Sequence, residues 1–529
     1  MSQDRAESFH TVTAEPVQWF ITADERGNPD TCIDSRHADG ISWTVGNSLE
    51  PLVHGSLYFR QLLSAVEQLR GGDLLLFTDW RGDPDQHLDA AGAEVGAMFA
   101  AAAARGVDVR GLLWRSHTFM QLGTQKNRGL GALLEDSGAQ VLLDMRVPAF
   151  GSHHQKMVVL RHRDRSHLDI AFVGGIDLCH GRRDDSLHDG DPQALPMAKV
   201  YGDQPPWHDI QMAIRGPAVG DVEAAFRERW DDPSPLARHP IHVLTSWLHR
   251  ETKTPDALPP QGPDPEPVGS AAVQILRTYP VRHPGYPFAR EGERSIARGY
   301  IKALGNARDF VYVEDQYLWS REVASVYAGA LRREPNLRMI FVIPGYPEQD
   351  GRLSMPPNQL GRQGALEVLR EAGGDRVAIF FLENAKGTPV YVHAKVVLID
   401  DIWGCIGSDN TNRRSWTHDS ELSAAFMDSD PDGYVRSLRL ALAQEHLGSN
   451  YDDEDLKDPR AFFQAFLDSA AALDAWHLGG MRGPRPVGHL RTFDQGHIRR
   501  RTRTWAEPIY RTVYDPDGRK RSMRRMQEF

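Results

Sequence analysis

Apolar and polar positions follow one plan twice along this chain. In the first half, residues 57–69 carry apolar side chains at helical spacing, and the apolar run at 73–77 has the length and composition of a buried strand. Residues 295–304 and 309–313 repeat this helix and strand in the second half, and the aspartates that open the two strands lie 236 positions apart. The pattern therefore predicts an internal duplication.

Each half continues in the same order. A helix (91–104 and 323–333), a strand (109–114 and 338–344), another helix and a third strand follow one another. Short apolar strands that alternate with helices are typical of α/β units with a buried, largely parallel sheet. We therefore expect an α/β fold of two duplicated α/β/α lobes, related by a pseudo-two-fold axis, with the functional site between them in a single bilobal chain.

Composition marks the boundaries between these units. Residues 251–270 contain six prolines and almost no apolar side chain, which predicts an extended linker. We expect an N-terminal extension (1–40), a first lobe (41–250), this linker, a second lobe (271–480) and a basic C-terminal tail (481–529).

Charge is distributed unevenly. The net charge of −11 argues against general attraction to nucleic acid. Residues 482–525 nevertheless hold thirteen Lys/Arg against four Asp/Glu. We expect this stretch to be a solvated tail, a strap across the acidic body, or a contact for anionic lipid headgroups.

Cysteines and known metal motifs add little. Cys32, Cys179 and Cys405 are too few and too scattered for a disulfide framework or a zinc site. The sequence shows no His-Glu-x-x-His motif, EF-hand loop or P-loop, so it predicts neither a metal nor another cofactor. It also shows no secretory signal and no run of about 18 apolar residues. We expect a monomer that is cytoplasmic or peripheral to a membrane, with non-classical secretion left open.

Two small clusters of chemical groups, 239 positions apart, occupy corresponding places in the two halves. His154 precedes Lys156 by two positions, and His393 precedes Lys395 by two. Residues i and i+2 of a strand share a face, so each pair would aim an imidazole and an ammonium group into one space. Two such pairs brought together would supply two imidazoles for group transfer and two cations for a phosphate. This set indicates phosphodiester cleavage.

A glycine-led signature follows each cluster. The first signature is Gly174-Gly175-Ile176-Asp177, and the second is Gly407-Ser408-Asp409-Asn410. Hydroxyl and amide groups can donate hydrogen bonds to phosphoryl oxygens. We therefore expect Ser408 and Asn410, together with Asp177 at the corresponding place, to contact phosphate.

A carboxylate opens the strand that follows each signature. An imidazole that acts as nucleophile or acid needs its second nitrogen held, usually by a carboxylate. Asp209 and Glu421 are the predicted partners, and each is expected to complete the half-site of its own repeat. Asp184 and Asp185 are alternatives for the first position.

Together these residues resemble the motifs of the phospholipase D superfamily, His-x-Lys-x4-Asp followed by Gly-Ser-x-Asn or Gly-Gly-x-Asp. The second half matches in full, with Asp400 as the motif aspartate. The first half has Arg161 at that position, and Asp164 and Asp169 are alternatives. In the family this aspartate mainly supports structure, so the departure bears on local support more than on activity.

The resemblance implies a two-step, metal-independent reaction. One histidine attacks phosphorus to form a phosphohistidine while the other protonates the departing alcohol, and the second histidine then activates water or another alcohol. Family precedent makes His154 the nucleophile and His393 the acid and base, an order that the residues alone leave open. Lys156 and Lys395 would neutralise phosphate charge.

Resemblance also bears on the substrate. Residues 172–179, 206–219 and 312–317 are similar to segments of eukaryotic-type phospholipases D, and residues 1–40 leave no room for lipid-targeting domains. The resemblance implies a stand-alone, bacterial-type enzyme that hydrolyses glycerophospholipids to phosphatidate at a membrane surface, transfers phosphatidyl groups to alcohols, stays active in chelators and has no stable nucleic acid partner. A cardiolipin synthase-like phosphatidyltransferase is the alternative, followed by a metal-independent nuclease or a non-catalytic scaffold.

Overall fold

Two mixed β-sheets, one from each half of the chain, form the centre of the molecule. The structure, a computed structural model, describes residues 15–37, 39–117, 124–252, 254–351, 355–428, 433–448, 451–494 and 498–529. Within these residues, no helix combines the length and the apolar character needed to cross a bilayer.

The first lobe carries seven strands in one sheet. Its strands are β1 (Thr44–Val53), β2 (Leu74–Asp79), β3 (Asp108–Trp114), β4 (Gln140–Asp144), β5 (Met157–Arg161), β6 (Ile170–Gly174), β7 (Trp207–His208) and β8 (Ile210–Arg215). The helices up to the linker are α1 (Pro16–Trp19), α2 (Ala23–Arg26), α3 (Gly55–Glu67), α4 (Val95–Ala104), α5 (Thr124–Asp136), α6 (Ala218–Trp230) and α7 (Pro240–Leu248). The sheet order is β4-β3-β2-β5-β6-β8-β1, and β7 pairs outside it.

The second lobe repeats this plan. Its strands are β9 (Ala271–Tyr279), β10 (Glu293–Arg294), β11 (Phe310–Glu314), β12 (Arg338–Val342), β13 (Val377–Glu383), β14 (Pro389–Val392), β15 (Val396–Ile399), β16 (Trp403–Gly407), β17 (Glu421–Met427) and β18 (Leu490–Thr492). Its helices are α8 (Ser295–Asn306), α9 (Arg321–Arg333), α10 (Met355–Gly373), α11 (Arg413–Thr417), α12 (Tyr434–Leu447), α13 (Asp453–Leu456), α14 (Pro459–Leu478), α15 (Arg500–Ile509) and α16 (Arg521–Met526). The order β13-β12-β11-β15-β16-β17-β9 matches that of the first sheet.

The two lobes share one core. Strands β1 and β9 pair antiparallel, with Thr44 opposite Val273, so one sheet edge joins the other. Buried apolar residues of both sheets, among them Val159 and Leu398, pack together with helices α6, α12 and α14 between the lobes. Separate apolar layers lie under α3 and α4 and under α8 and α9. The predicted pair of duplicated α/β/α lobes is confirmed.

The expectation of a largely parallel sheet is wrong. Strands β2, β3 and β4 run parallel, as do β11, β12 and β13, but the strands that carry the motifs are antiparallel. Strands β5 and β6, like β15 and β16, are joined by short connections, and a short connection requires antiparallel pairing.

Segments outside the lobes are docked on them. Residues 251–270 form no helix or strand where the structure describes them, and their backbone carbonyls accept hydrogen bonds from Arg227 and Trp230 of α6. The N-terminal segment contacts both lobes: Phe20 is buried against the second, and Arg36 pairs with Asp221 of α6 in the first. In the basic C-terminal segment, β18 extends the second sheet beside β13, and Tyr510 is buried against α10.

Candidate active site

The two His-x-Lys clusters lie immediately before strands β5 and β15, not within them as the sequence pattern predicts. The backbone there leaves its own sheet to pair with the other lobe: the N–H of His393 donates to the carbonyl of His208 at 2.7 Å, and the N–H of His154 donates to that of Ser420 at 2.9 Å. Each cluster is therefore held by the segment that precedes the carboxylate of the opposite half.

Both imidazoles open into one cavity of about 650 Å³ between the lobes. Its wall includes His154, His393, Asp177 and Asn410. Aromatic side chains form much of the remainder: Trp80, Trp114, Phe150, Trp207, Trp319 and Tyr346. The duplicated clusters thus share one pocket that has a polar centre and apolar walls.

Each imidazole is held by a carboxylate from the opposite lobe. Nδ1 of His393 lies 2.7 Å from Oδ2 of Asp209, and Nδ1 of His154 lies 2.8 Å from Oε2 of Glu421. The expectation that each carboxylate serves the histidine of its own repeat is wrong. The exchange follows from the backbone pairing between lobes, because Asp209 follows His208 and Glu421 follows Ser420.

Electrostatics differ between the two pairs. Burial and the Lys395 ammonium lower the pKa of His393 to about 3. Burial would raise the pKa of Asp209, but His393 and Lys395 outweigh it and lower that pKa to about 2. At neutral pH, Asp209 is therefore an anion that accepts the Nδ1–H of His393, which leaves Nε2 free for chemistry.

Glu421 has the opposite tendency. Burial, with the neighbouring Asp419 carboxylate, raises its pKa to about 8. Oε2 accepts the Ser408 hydroxyl at 2.6 Å and Oε1 accepts that of Ser415 at 2.8 Å. Burial and then Lys156 hold the pKa of His154 well below its usual range. The first imidazole is therefore neutral and faces a carboxyl group that resists ionisation.

The two lysines have different neighbours. Lys156 lies 3.2 Å from Oδ1 of Asp177, and burial raises the pKa of Asp79, which adjoins Asp177, well above its usual range. Lys395 donates to the carbonyl of His393 and lies 3.5 Å from Oε1 of Gln316. Burial lowers the pKa of Lys395 to about 8. The first lysine thus has an anionic counterion and the second a neutral amide.

The signature residues take three different positions. Asn410 lines the cavity, and its buried Oδ1 has no hydrogen-bond partner among the described residues, so the side chain is available to a ligand. Ser408 differs from its predicted role at phosphate, because its hydroxyl is committed to Glu421 and it forms no part of the described cavity wall. Asp177 lines the cavity as the counterion of Lys156, which places a carboxylate rather than a donor there.

Close approach explains the glycines of both signatures. A Cβ on Gly175 would lie 2.5 Å from Oδ1 of Asp209 and 3.3 Å from Cδ of Lys395. One on Gly174 would lie 2.5 Å from Oε1 of Gln211, and one on Gly407 would overlap Ser423. Only a residue without a Cβ lets the signature pass this close to the catalytic carboxylate.

Support by the motif aspartate is reversed between the lobes. Asp400 accepts the backbone N–H groups of Asp309 and Phe310, at 3.0 and 2.8 Å, at the start of β11. In the first lobe, Asp73 at the start of β2 accepts the N–H of Arg163 at 2.9 Å, from the turn that follows β5. In both lobes a carboxylate thus connects the start of β11 or β2 to the turn after the strand that follows the His-x-Lys cluster. The carboxylate belongs to the turn in the second lobe and to the start of β2 in the first.

Of the sequence-based alternatives to this aspartate, one lies near Arg161. Asp169 is 3.3 Å from Nε of Arg161 and accepts the N–H of His162 at 2.6 Å, whereas Asp164 is exposed. Asp169 therefore supports the turn after β5, in addition to the hydrogen bond that Asp73 accepts from this turn.

Known proteins match this chain over much of its length. A family model described as Phospholipase D matches residues 84–324. Phospholipase D alpha 4 of Arabidopsis thaliana is 25% identical over 506 residues, which cover 75% of this chain and 64% of that protein. Phospholipase D alpha 1 of Cynara cardunculus is 26% identical over 422 residues, which cover 59% of this chain and 51% of that protein. Over residues 84–324 this chain resembles the phospholipase D family. It spans less than two thirds of the length of these plant relatives.

One solved structure aligns with much of this chain. Phosphatidylserine synthase of Haemophilus influenzae covers 82% of this chain and 95% of its own, at 13% identity and a TM-score of 0.49.

Some residues of this site carry no motif signal in the sequence. Arg414 and Asp419 line the cavity and form an ion pair at 2.6 Å. Arg182 also lines it and stacks 3.8 Å above the ring of Trp207. The alternatives for the first carboxylate are wrong: Asp184 binds backbone N–H groups of its loop and of Trp207, and Asp185 is exposed.

Proposed function

We propose that this chain is a phosphodiesterase of phospholipase D type that cleaves glycerophospholipids to phosphatidate and a free headgroup. The observation that carries the proposal is the single cavity into which His154 and His393 both open, each with its Nδ1 held by a buried carboxylate. Lys156 and Lys395 supply positive charge beside these imidazoles, and Asn410, whose side-chain NH2 can donate to a phosphoryl oxygen, lines the cavity. Positioning plus charge neutralisation is what phosphoryl transfer requires.

The reaction proceeds in two balanced steps. His393 enters the first step as the imidazolium. Nε2 of His154 attacks phosphorus, the bond from phosphorus to the headgroup oxygen breaks, and the imidazolium delivers its Nε2 proton to that oxygen. His393 then takes a proton from water, the resulting hydroxide attacks phosphorus, and the bond from phosphorus to His154 breaks. A primary alcohol in place of water gives the phosphatidyl alcohol.

The two carboxyl groups support this order of roles. Asp209, with a pKa near 2, is ionised and partly offsets the burial and the Lys395 charge that lower the pKa of His393, so it stabilises the imidazolium that His393 must become when it acts as an acid. Glu421, with a pKa near 8, offers less negative charge to His154, which favours the neutral imidazole that a nucleophile requires.

A lipid substrate is favoured by the apolar cavity wall and by helix α7. On this helix Leu244, Trp247 and Leu248 are 56%, 68% and 59% exposed. Arg238 and Arg250, both exposed, flank its ends. An apolar helix face flanked by cations suits the headgroup region of an anionic membrane.

Helix α7 also lies beside the cavity. Nδ1 of its buried His242 accepts a hydrogen bond from Arg115 at 2.8 Å. Arg115 follows Trp114, which lines the cavity. A membrane bound at α7 would therefore present its lipids near the catalytic cavity.

The test uses purified protein with mixed phospholipid vesicles, with and without butanol, and mass spectrometry of the products. We expect phosphatidate from vesicles alone and phosphatidylbutanol when the alcohol is present. His154→Ala and His393→Ala should each abolish both products, whereas His167→Ala, which alters an exposed histidine, should not. Cleavage of short DNA in place of lipid, or lipid turnover that survives His154→Ala, would contradict the proposal.

A further inference from the structure

Three buried histidines and the partly buried Glu445, behind the catalytic cavity, form a compact set of metal-ligand type. His54, His188 and His208 come from the first lobe and Glu445 from the second, and one ligand atom of each lies within 4.8 Å of all the others. The three histidines are 5%, 2% and 0% exposed. None of the four belongs to the described wall of the catalytic cavity.

The distances suit a tetrahedral ion. Oε2 of Glu445 lies 2.8 Å from Nε2 of His54, and Oε1 lies 3.2 Å both from Nε2 of His188 and from Nδ1 of His208. With ligand bonds of about 2.0–2.2 Å, neighbouring atoms of a zinc tetrahedron lie about 3.3–3.6 Å apart. Outward shifts of a few tenths of an ångström would therefore admit the ion.

The hydrogen bonding is incomplete without an ion. Nδ1 of His208 faces Glu445 but makes no hydrogen bond, and the residue is fully buried. A buried polar atom without a partner costs about 1–3 kcal/mol. A cation bound by this nitrogen and by Glu445 would satisfy both.

A hydrogen bond on the far side of the His208 ring already orients this residue as a ligand. Nε2 of His208 lies 2.7 Å from Oε2 of Glu314, whose other oxygen contacts His446 at 2.7 Å and the Tyr312 hydroxyl at 2.6 Å. A metal-bound histidine usually donates its second ring N–H to a carboxylate in this way.

Backbone conformation gives an independent sign. His54 and His188 have φ angles of 74° and 53°, a region that residues with a Cβ rarely adopt. Strain of this kind is concentrated at ligand and active sites. These backbone conformations bring the imidazoles of His54 and His188 beside the side chain of Glu445.

We propose that His54, His188, His208 and Glu445 bind one divalent late transition ion, for which Zn²⁺ is the best fit. Three imidazoles and one carboxylate suit zinc, whereas Ca²⁺ and Mg²⁺ require oxygen ligands. Four protein ligands close the coordination shell, so the ion is structural.

The ion joins the lobes next to the catalytic pair. His208 directly precedes Asp209, and the N–H of His54 donates to the carbonyl of Asp209 at 2.8 Å. The metal therefore fixes the segment that positions the carboxylate partner of His393. Sequence motifs do not reveal this set, because its members are dispersed from position 54 to position 445.

The test measures metal in the purified full chain. We expect elemental mass spectrometry to find about one zinc per chain. Returning zinc to chelator-treated protein should raise its Tm. Co²⁺ in place of zinc should give the visible absorption of a tetrahedral site. Glu445→Gln and His188→Gln should lose the stoichiometric ion and the Co²⁺ spectrum, and Glu314→Gln should weaken zinc binding about 10- to 100-fold.

His446→Gln is the matched control, because this buried imidazole contacts Glu314 but lies outside the four-ligand set. It should keep the ion. The proposal is overturned if added zinc produces neither binding nor a shift in Tm. It is also overturned if Glu445→Gln, folded by circular dichroism, keeps the ion, or if His446→Gln loses it while Glu445→Gln does not.

Discussion

The exchange of carboxylates between lobes makes a sharp prediction for Asp209→Asn. Oδ2 of Asp209 lies 2.7 Å from Nδ1 of His393, and Asp209 is fully buried. The substitution keeps the shape of the side chain and removes its negative charge. It should therefore impair the histidine of the other repeat and leave His154 intact.

The magnitude follows from the charge that is lost. Two unit charges about 4 Å apart interact by about 4 kcal/mol at an effective dielectric constant of about 20. Each 1.36 kcal/mol corresponds to about a factor of ten in rate. Loss of the carboxylate charge behind the His393 imidazolium should therefore slow hydrolysis of phosphatidylcholine about 1,000-fold.

The assay varies the leaving group. Phosphatidyl-p-nitrophenol releases a phenolate that needs no proton, so its burst reports nucleophilic attack alone. A general acid contributes about 10²–10⁴ to a rate, and the deficit of Asp209→Asn in this burst should shrink by about 100-fold or more. His393→Ala should behave alike, whereas His154→Ala should give no burst.

The comparison variant is Glu421→Gln, which should lower the rates with both substrates by the same factor, because Glu421 holds the attacking imidazole. The reasoning is refuted if Asp209→Asn resembles His154→Ala and shows no recovery with the activated substrate. That outcome would mean that each carboxylate serves its own repeat.

Three further predictions test separate parts of the structure. Gly175→Ala should reduce turnover because the added Cβ would displace Asp209. The control is Gly329→Ala in α9, where the added Cβ meets open space, and it should raise the free energy of unfolding in urea by about 0.5–1 kcal/mol. Equal activity of the two variants would contradict the steric argument. Glu421 binds its proton more tightly when folded, with a pKa of about 8 against 4.5, so its contribution to unfolding free energy falls as pH rises between these values, by up to about 1.4 kcal/mol per pH unit. Glu421→Gln should flatten that slope, and an unchanged slope would refute the assignment. Trp247→Ser should weaken binding to anionic vesicles and spare turnover of a monomeric short-chain lipid; the control Ile301→Ser, on α8 and 40% exposed, should do neither.

Local pattern was sufficient for the elements and for the residues that meet in the cavity. The apolar run at 73–77 became β2, and the helix expected at 295–304 became α8, because each is defined by its own periodicity. The duplication predicted the meeting of the two clusters. Two copies of His-x-Lys at matching places are expected to meet if the lobes are related by a pseudo-two-fold axis. His154 and His393 do share one cavity.

Pairing between lobes could not be predicted in this way. Which carboxylate reaches His393 depends on the hydrogen bond from its backbone to His208, a contact between residues 185 positions apart. The role of Ser408 was missed for a related reason, since its hydroxyl meets Glu421 only when β16 and β17 pair. The cluster around Glu445 likewise exists only in three dimensions.

Duplication supplies two equivalent half-sites, yet the proposed reaction needs one nucleophile and one acid. Small sequence differences between the halves break the equivalence. The first signature ends in Asp177, which neutralises Lys156, whereas the second ends in Asn410, and Lys395 faces Gln316 instead. The carboxylate partners differ in the same sense, because Asp209 is held ionised and Glu421 is held protonated near neutral pH. Since each carboxylate acts on the opposite lobe, neither half contains a complete catalytic pair, and the division of roles arises only in the joined chain.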